Sequence, residues 1–141
     1  MRVDTSTFEV GETLDSLEFG PITRTDIVRY QGASGDMNPI HHDEPFALAS
    51  GYPAPLTVGM LPVGIINSWI AGKLGPENIR RTRCRWKRPV FPGDKLQCDA
   101  MVQQKRETDN GDIELDLEMS CINQDDVVTS IVWCTFLLPK S

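Results

Sequence analysis

Between positions 30 and 47 the chain reads YQGASGDMNPIHHDEPFA, which brings a carboxylate (Asp36), an amide (Asn38) and an imidazole (His41) close together in one segment. A carboxylate that accepts a proton and an imidazole that titrates near neutrality form a general acid/base pair, able to hold one water between them when both reach the same atom. Asn38 adds a neutral donor and acceptor that can orient either partner or a ligand. Gly35 permits backbone angles closed to other residues, and Pro39 biases Asn38 away from helix, so a loop aims these groups. The same residues also have a local reading, in which Asp36 closes a Ser-Gly-Asp turn and His41 opens a helix.

Three further groups carry candidate chemistry. The apolar run at 57–71, TVGMLPVGIINSWIA, reads as a buried helix, and Pro62 fits it only in the first turn, so the helix begins close to Gly59. Amide groups at a helix start are unpaired and carry partial positive charge, which makes the Gly59 N–H a candidate donor to a carbonyl oxygen that gains charge. Asn67, further along, either faces a ligand or satisfies a neighbouring backbone group. Arg80, Arg81, Arg83, Arg85, Lys87 and Arg88 are six of the fourteen basic residues of an acidic chain, all within one predicted strand. By the two-residue period Arg81, Arg83, Arg85 and Lys87 share a face, which is either a solvated strand face or a landing site for phosphates, with Arg85 and Lys87 as candidate ligand contacts. A metal site from His41, His42 and Asp43 is a weaker reading, because adjacent side chains diverge; no metal is expected.

The elements that must position these groups follow from pattern. Leu14, Leu17, Phe19 and Ile22 alternate loosely as a first strand. Thr23 with Asp26 three residues on is a capping box with Asp in place of Glu, and it predicts a short helix ending near Gly32. Asp43 and Glu44 precede one or two helical turns at 45–49. The Gly51-Tyr52-Pro53-Ala54-Pro55 run stops them and covers either a ligand entrance or the core. From position 79 the pattern changes to strands at 79–90, 95–107, 112–122 and 127–138, with Asn110-Gly111 as a hairpin turn. The even spacing predicts antiparallel neighbours in a four-strand meander.

Composition bounds the rest. At 141 residues and 40% hydrophobic content the chain suits one domain spanning 1–141 with one core. A net charge of −6 and a pI of about 4.8 disfavour nucleic acid and anionic membrane surfaces as partners. The opening MRVDTSTFEVGETLD has no apolar run behind a basic start, and no stretch reaches the length of a membrane span, so a cytoplasmic location is expected. Cys84, Cys98, Cys121 and Cys134 lie far apart in strand-like stretches and read as buried free thiols.

Tyr30, Gly35, Asp36, Asn38, Pro39, Ile40, His41 and Ala47 together resemble the signature of the MaoC-like dehydratases and R-specific enoyl-CoA hydratases. Phe8-Glu9-Val10-Gly11 is similar to the family's opening, and RPVFPGDKL at 88–96 to a second family mark, so the resemblance covers almost the whole chain. Its implication is an α+β hotdog fold, a long central helix wrapped by a curved antiparallel sheet. The implied activity is addition of water to, or its removal from, the double bond beside a CoA- or carrier-linked thioester, without cofactor. Asp36 and His41 would activate the water, and Gly59 would hold the thioester oxygen. The family's usual His before that Gly is Val58 here. A homodimer, or a heterodimer with a related hotdog subunit, is the implied assembly. Two other roles share these residues: a hotdog acyl-CoA thioesterase, and an acyl-CoA-binding subunit whose partner carries the catalytic pair.

Overall fold

A computed structural model describes residues 4–140. In chain order these form β1 (Thr13–Phe19), α1 (Arg24–Ser34), a short 3-10 turn (Pro39–His41), α2 (Glu44–Ala49), α3 (Met60–Leu74), a second 3-10 turn (Pro76–Asn78), β2 (Ile79–Trp86), β3 (Leu96–Glu107), β4 (Ile113–Asn123) and β5 (Val128–Leu138). Among them no helix is long and apolar enough to cross a membrane.

The strands make one antiparallel sheet in the order β1-β3-β4-β5-β2. The expected meander is therefore three strands long, β3 to β5, and β2 crosses over to pair with β5. The nine residues between β2 and β3 include Pro89 and Pro92 and are far from a tight hairpin, so they carry the chain across instead. Their Pro92-Gly93-Asp94 turn is bonded to Ile22, between β1 and α1. Gly93 N–H donates to Ile22 O at 2.7 Å and Ile22 N–H to Asp94 O at 2.9 Å. That contact fixes where α1 begins.

Alternate positions fill the core. Leu96, Cys98, Ala100 and Val102 of β3, Leu115, Leu117, Met119 and Cys121 of β4, and Val132, Cys134, Phe136 and Leu138 of β5 are buried under one face of the sheet. Against them α3 sets Val63, Ile66, Ile70 and Leu74, the three-and-four spacing of one helix face, with Leu61 beside them in the first turn. The other side of α3 is less covered than its uniformly apolar sequence predicts: Met60 and Ser68 are exposed, and Ile65 and Trp69 half-buried. Three of the four cysteines are buried and the fourth partly so, all as free thiols. The helix laid on one face of an antiparallel sheet is the hotdog arrangement expected from the sequence.

Candidate active site

The carboxylate and the imidazole meet at the end of α1. Thr23 and Asp26 form both halves of the capping box, so the start of that helix is fixed as expected. Its end lies at Ser34, two residues beyond the predicted Gly32, because Gly35 rather than Gly32 supplies the left-handed cap, at φ 75°. Asp36 then leaves the helix into solvent, and its Oδ1 accepts from Asn38 N–H at 3.2 Å. The Asn38 side chain caps the following 3-10 turn, accepting from Ile40 N–H at 3.1 Å. In this way each polar residue of the segment holds the next in place.

His41 sits on that turn with its side chain 10% exposed, while the Asp36 side chain is 44% exposed. The imidazole Nδ1 lies 2.9 Å from Leu56 O, a group that can only accept. Nδ1 therefore carries the proton, and in the neutral ring Nε2 is left as an acceptor. Nε2 faces Asp36 Oδ2 at 3.7 Å. That is too long for a direct hydrogen bond, but a water about 2.8 Å from each atom would bridge them. Leu56 N–H in turn donates to Ile40 O at 3.3 Å, so the proline-rich loop is tied to the His41 turn at two points.

His41 and Gly59 line one cavity of about 300 Å³, together with Tyr52, Thr57, Pro62, Trp86, Lys87 and Ser130. Gly59 is the residue before α3, Pro62 lies in the first turn, and the Gly59 N–H has no hydrogen-bond partner among the described residues. The amide thus stands unpaired beside the cavity, at the positive end of a fifteen-residue helix. The Trp86 indole lies against Gly59 and donates from Nε1 to Gly59 O at 2.8 Å. Buried Val58, 4% exposed, packs behind this turn and its carbonyl accepts from Leu61 N–H at 2.9 Å.

The other candidates fall elsewhere. Asn67 Oδ1 accepts from the Cys134 thiol at 3.1 Å, so its side chain is engaged with the sheet. Arg85 is exposed opposite Ile131 on the outer face of the sheet, whereas Lys87, just past the end of β2, lines the cavity. A second depression on that outer face, lined by Arg81, Arg83, Asp116, Glu118 and Trp133, shares no residue with the first. Several of its polar groups are already engaged: Arg83 lies 4.6 Å over the Trp133 ring, Trp133 Nε1 donates to Glu118 at 2.7 Å, and Asp116 accepts from Arg106 and Thr135. His42 turns away from His41 to Gln31, so the two rings and Asp43 do not converge.

Gln31 is the residue that sequence reasoning passed over. It is 2% exposed, its Nε2 donates to Asp36 O at 2.9 Å and to Asn38 O at 3.4 Å, and its Oε1 meets His42 Nδ1 at 3.2 Å. One buried amide thus clamps both ends of the turn that aims Asp36 and His41. The available signal was position: Gln31 follows Ile27 by four, on the stripe that α1 buries.

Fold and site together define a hotdog protein with a carboxylate–imidazole pair just past the end of α1, its imidazole lining the same cavity as the start of the central helix. The family model for the MaoC like domain matches residues 6–120, and the chain belongs to that family. A 3-hydroxyacyl-thioester dehydratase Y of Mycobacterium tuberculosis is 36% identical over 78 residues, which are 52% of this chain and 27% of that protein. The chain spans about a quarter or less of the length of the curated relatives it matches. Among solved structures, the R-hydratase PhaJ1 from Pseudomonas aeruginosa is 26% identical at a TM-score of 0.78, covering 95% of this chain and 84% of that one. The (R)-hydratase from A. caviae involved in PHA biosynthesis superposes at a TM-score of 0.81 and 22% identity, over 95% and 99% of the two chains.

Proposed function

We infer that the protein hydrates the double bond of a 2-enoyl thioester, or runs the reverse dehydration. The observation that carries this reading is the 3.7 Å separation of His41 Nε2 and Asp36 Oδ2, with His41 lining the same cavity as Gly59, whose N–H is unpaired; Asp36 itself stands outside that lining, on the solvent side of His41. A water bridging the pair gives its oxygen to the β-carbon and loses a proton to one of them; the α-carbon takes a proton from the pair in return. The elements of one water are thereby added across the double bond, and the dyad ends as it began. As the oxygen bonds, charge moves onto the thioester oxygen, where the Gly59 N–H and the helix start stabilise it. Placed donors are worth roughly 10²–10³ in rate and acid/base partners roughly 10²–10⁴. The relatives named for thioester dehydration and R-hydration support this choice of chemistry.

Lys87 and Arg88, at the same cavity, suit the phosphates of coenzyme A or of a phosphopantetheine arm, and Asn38 acts by holding the turn that aims His41. Both sheet edges, β1 and β2, are open in the single chain, and a dimer that covers one of them is part of the reading. The test is turnover of a panel of enoyl-CoA and enoyl-carrier thioesters, followed by loss of absorbance of the conjugated bond. Free thiol released from a saturated acyl-CoA, with no hydration of any enoyl ester, would replace hydration by thioester hydrolysis.

A further inference from the structure

Ser130 stands on the wall of the same cavity and nothing assigned so far uses it. It is 0% exposed, and its Oγ is, among the described residues, the one buried side-chain oxygen or nitrogen without a hydrogen-bond partner. Leaving a buried hydroxyl unpaired is costly, and folded proteins rarely do so without a reason. Its neighbours cannot relieve it. Thr129 spends its own hydroxyl on Cys121 O at 3.1 Å, and the Cys121 thiol, opposite Ser130 on β4, is only a weak donor and acceptor and is engaged first with the Cys98 thiol. Ser130 pairs in register with Trp86, the residue whose indole covers Gly59. It also lies beyond the residues 6–120 that the family model matches.

We propose that Ser130 Oγ is a ligand-binding hydroxyl that takes a secondary amide of the pantetheine arm carrying the thioester. This rests on the thioester reading above. A hydroxyl both donates and accepts, which matches a neutral amide better than a charged group. The other polar tasks in the cavity have owners: the thioester oxygen at Gly59, the water at Asp36 and His41, and phosphate at Lys87 and Arg88. Between phosphate and thioester the arm presents two neutral amides and, nearer the phosphate, one hydroxyl; the amides, the polar groups nearer the thioester, are separated by methylenes that suit the apolar sides of Pro62 and Val90. Coenzyme A and carrier proteins share this arm, so one contact serves either source.

The experiment compares the wild-type chain with Ser130→Ala in two ways. Calorimetry measures binding of free coenzyme A and of its nucleotide half without the arm. Kinetics compares an enoyl-CoA, the same enoyl group on a carrier protein, and its ethanethiol ester, which has no amide. The expected result is a loss of about tenfold in affinity for coenzyme A and in kcat/KM for both arm-bearing esters, the size of one hydrogen bond. Binding of the nucleotide half and turnover of the ethanethiol ester should hold within twofold, and the melting temperature should stay level or rise. The carrier form with the lower wild-type KM marks the source used. Equal loss on all substrates, no loss on any, or a lowered melting temperature overturns the proposal. If the wild type binds coenzyme A but hydrates nothing, a tenfold binding loss upholds the Ser130 contact while the hydratase reading falls.

Discussion

Trp86 Nε1 donates to the carbonyl oxygen of Gly59 at 2.8 Å, and the indole occupies the space a Cβ at Gly59 would need: an added methyl would lie 2.8 Å from Nε1 and 3.1 Å from Cε2. Gly59 has φ −55° and ψ −29°, angles open to any residue. The ring, not the backbone, therefore requires glycine there. A residue 27 positions on, at the end of β2, thus holds the carbonyl at the start of α3 and walls the cavity that His41 lines.

This contact makes a first prediction. Gly59→Ala should push the half-exposed indole outward and break its hydrogen bond, at a stability cost of about 1 kcal/mol. Trp86→Phe should cost a similar amount, and the double variant little more than either, since both remove the same contact. Denaturant melts of the three variants measure the coupling. Strictly additive losses would show that the two residues act independently.

Gln31 supports a second. Gln31→Ala leaves the Asp36 and Asn38 carbonyls and the His42 ring without their shared partner, and should cost about 1–3 kcal/mol. Gln31→Glu keeps the volume but turns a carboxylate toward two carbonyl oxygens, so at neutral pH it should be at least as damaging. The sign with pH follows: burial beside acceptors raises the Glu pKa in the folded variant, so stability should return as pH falls and the group protonates. A Glu variant whose deficit against wild type stays constant between pH 7 and pH 5 would contradict this clamp.

Much of this arrangement was legible in the sequence. The capping box, the placement of Pro62 in the first turn of α3 and the strand limits all come from local rules that each residue obeys within a few positions. The crossover of β2 to β5 was not, because strand order depends on which edge remains open once β3 to β5 have paired, and no local pattern records that. Gln31 and Ser130 were hidden for a different reason. A buried polar side chain looks like any surface one until the helix face or strand face that carries it is known.

The third prediction concerns acid stability. Asp15 on β1 forms an ion pair with Lys73 in the last turn of α3, and that hydrogen bond, set against a small burial penalty, lowers the Asp15 pKa from its ordinary 3.8. A lowered carboxyl pKa contributes stability that is present above the unfolded value and lost as pH falls through the folded one. Both side chains are partly exposed, so screening keeps the contribution to about 0.5 kcal/mol. Lys73→Met should therefore melt lower than wild type at pH 7 by that small margin, and the two curves should meet below pH 3.8. Parallel curves down to pH 2 would assign the difference to packing of the Lys73 stem.

The last prediction separates an enzyme from a binding module. Asp36→Asn and His41→Gln keep volume and much of the hydrogen bonding but remove the ability to exchange a proton. Asp36 is exposed and its Oδ1 only receives the Asn38 N–H, a bond that Asn can also accept, so its fold should be unchanged. Gln at position 41 can still donate toward Leu56 O, so the tie to the proline-rich loop survives in part. If the two groups act on one shared water, each change should lower kcat on the order of 10²-fold or more, and the double variant should be little worse than the worse single one. Binding of a thioester product analogue should stay within several-fold, because phosphate contacts and acyl burial dominate it. Near-normal hydration by both single variants would make the Asp36–His41 turn purely structural. Thioester binding with no turnover by the wild type would instead mark a subunit that serves a partner's catalytic pair.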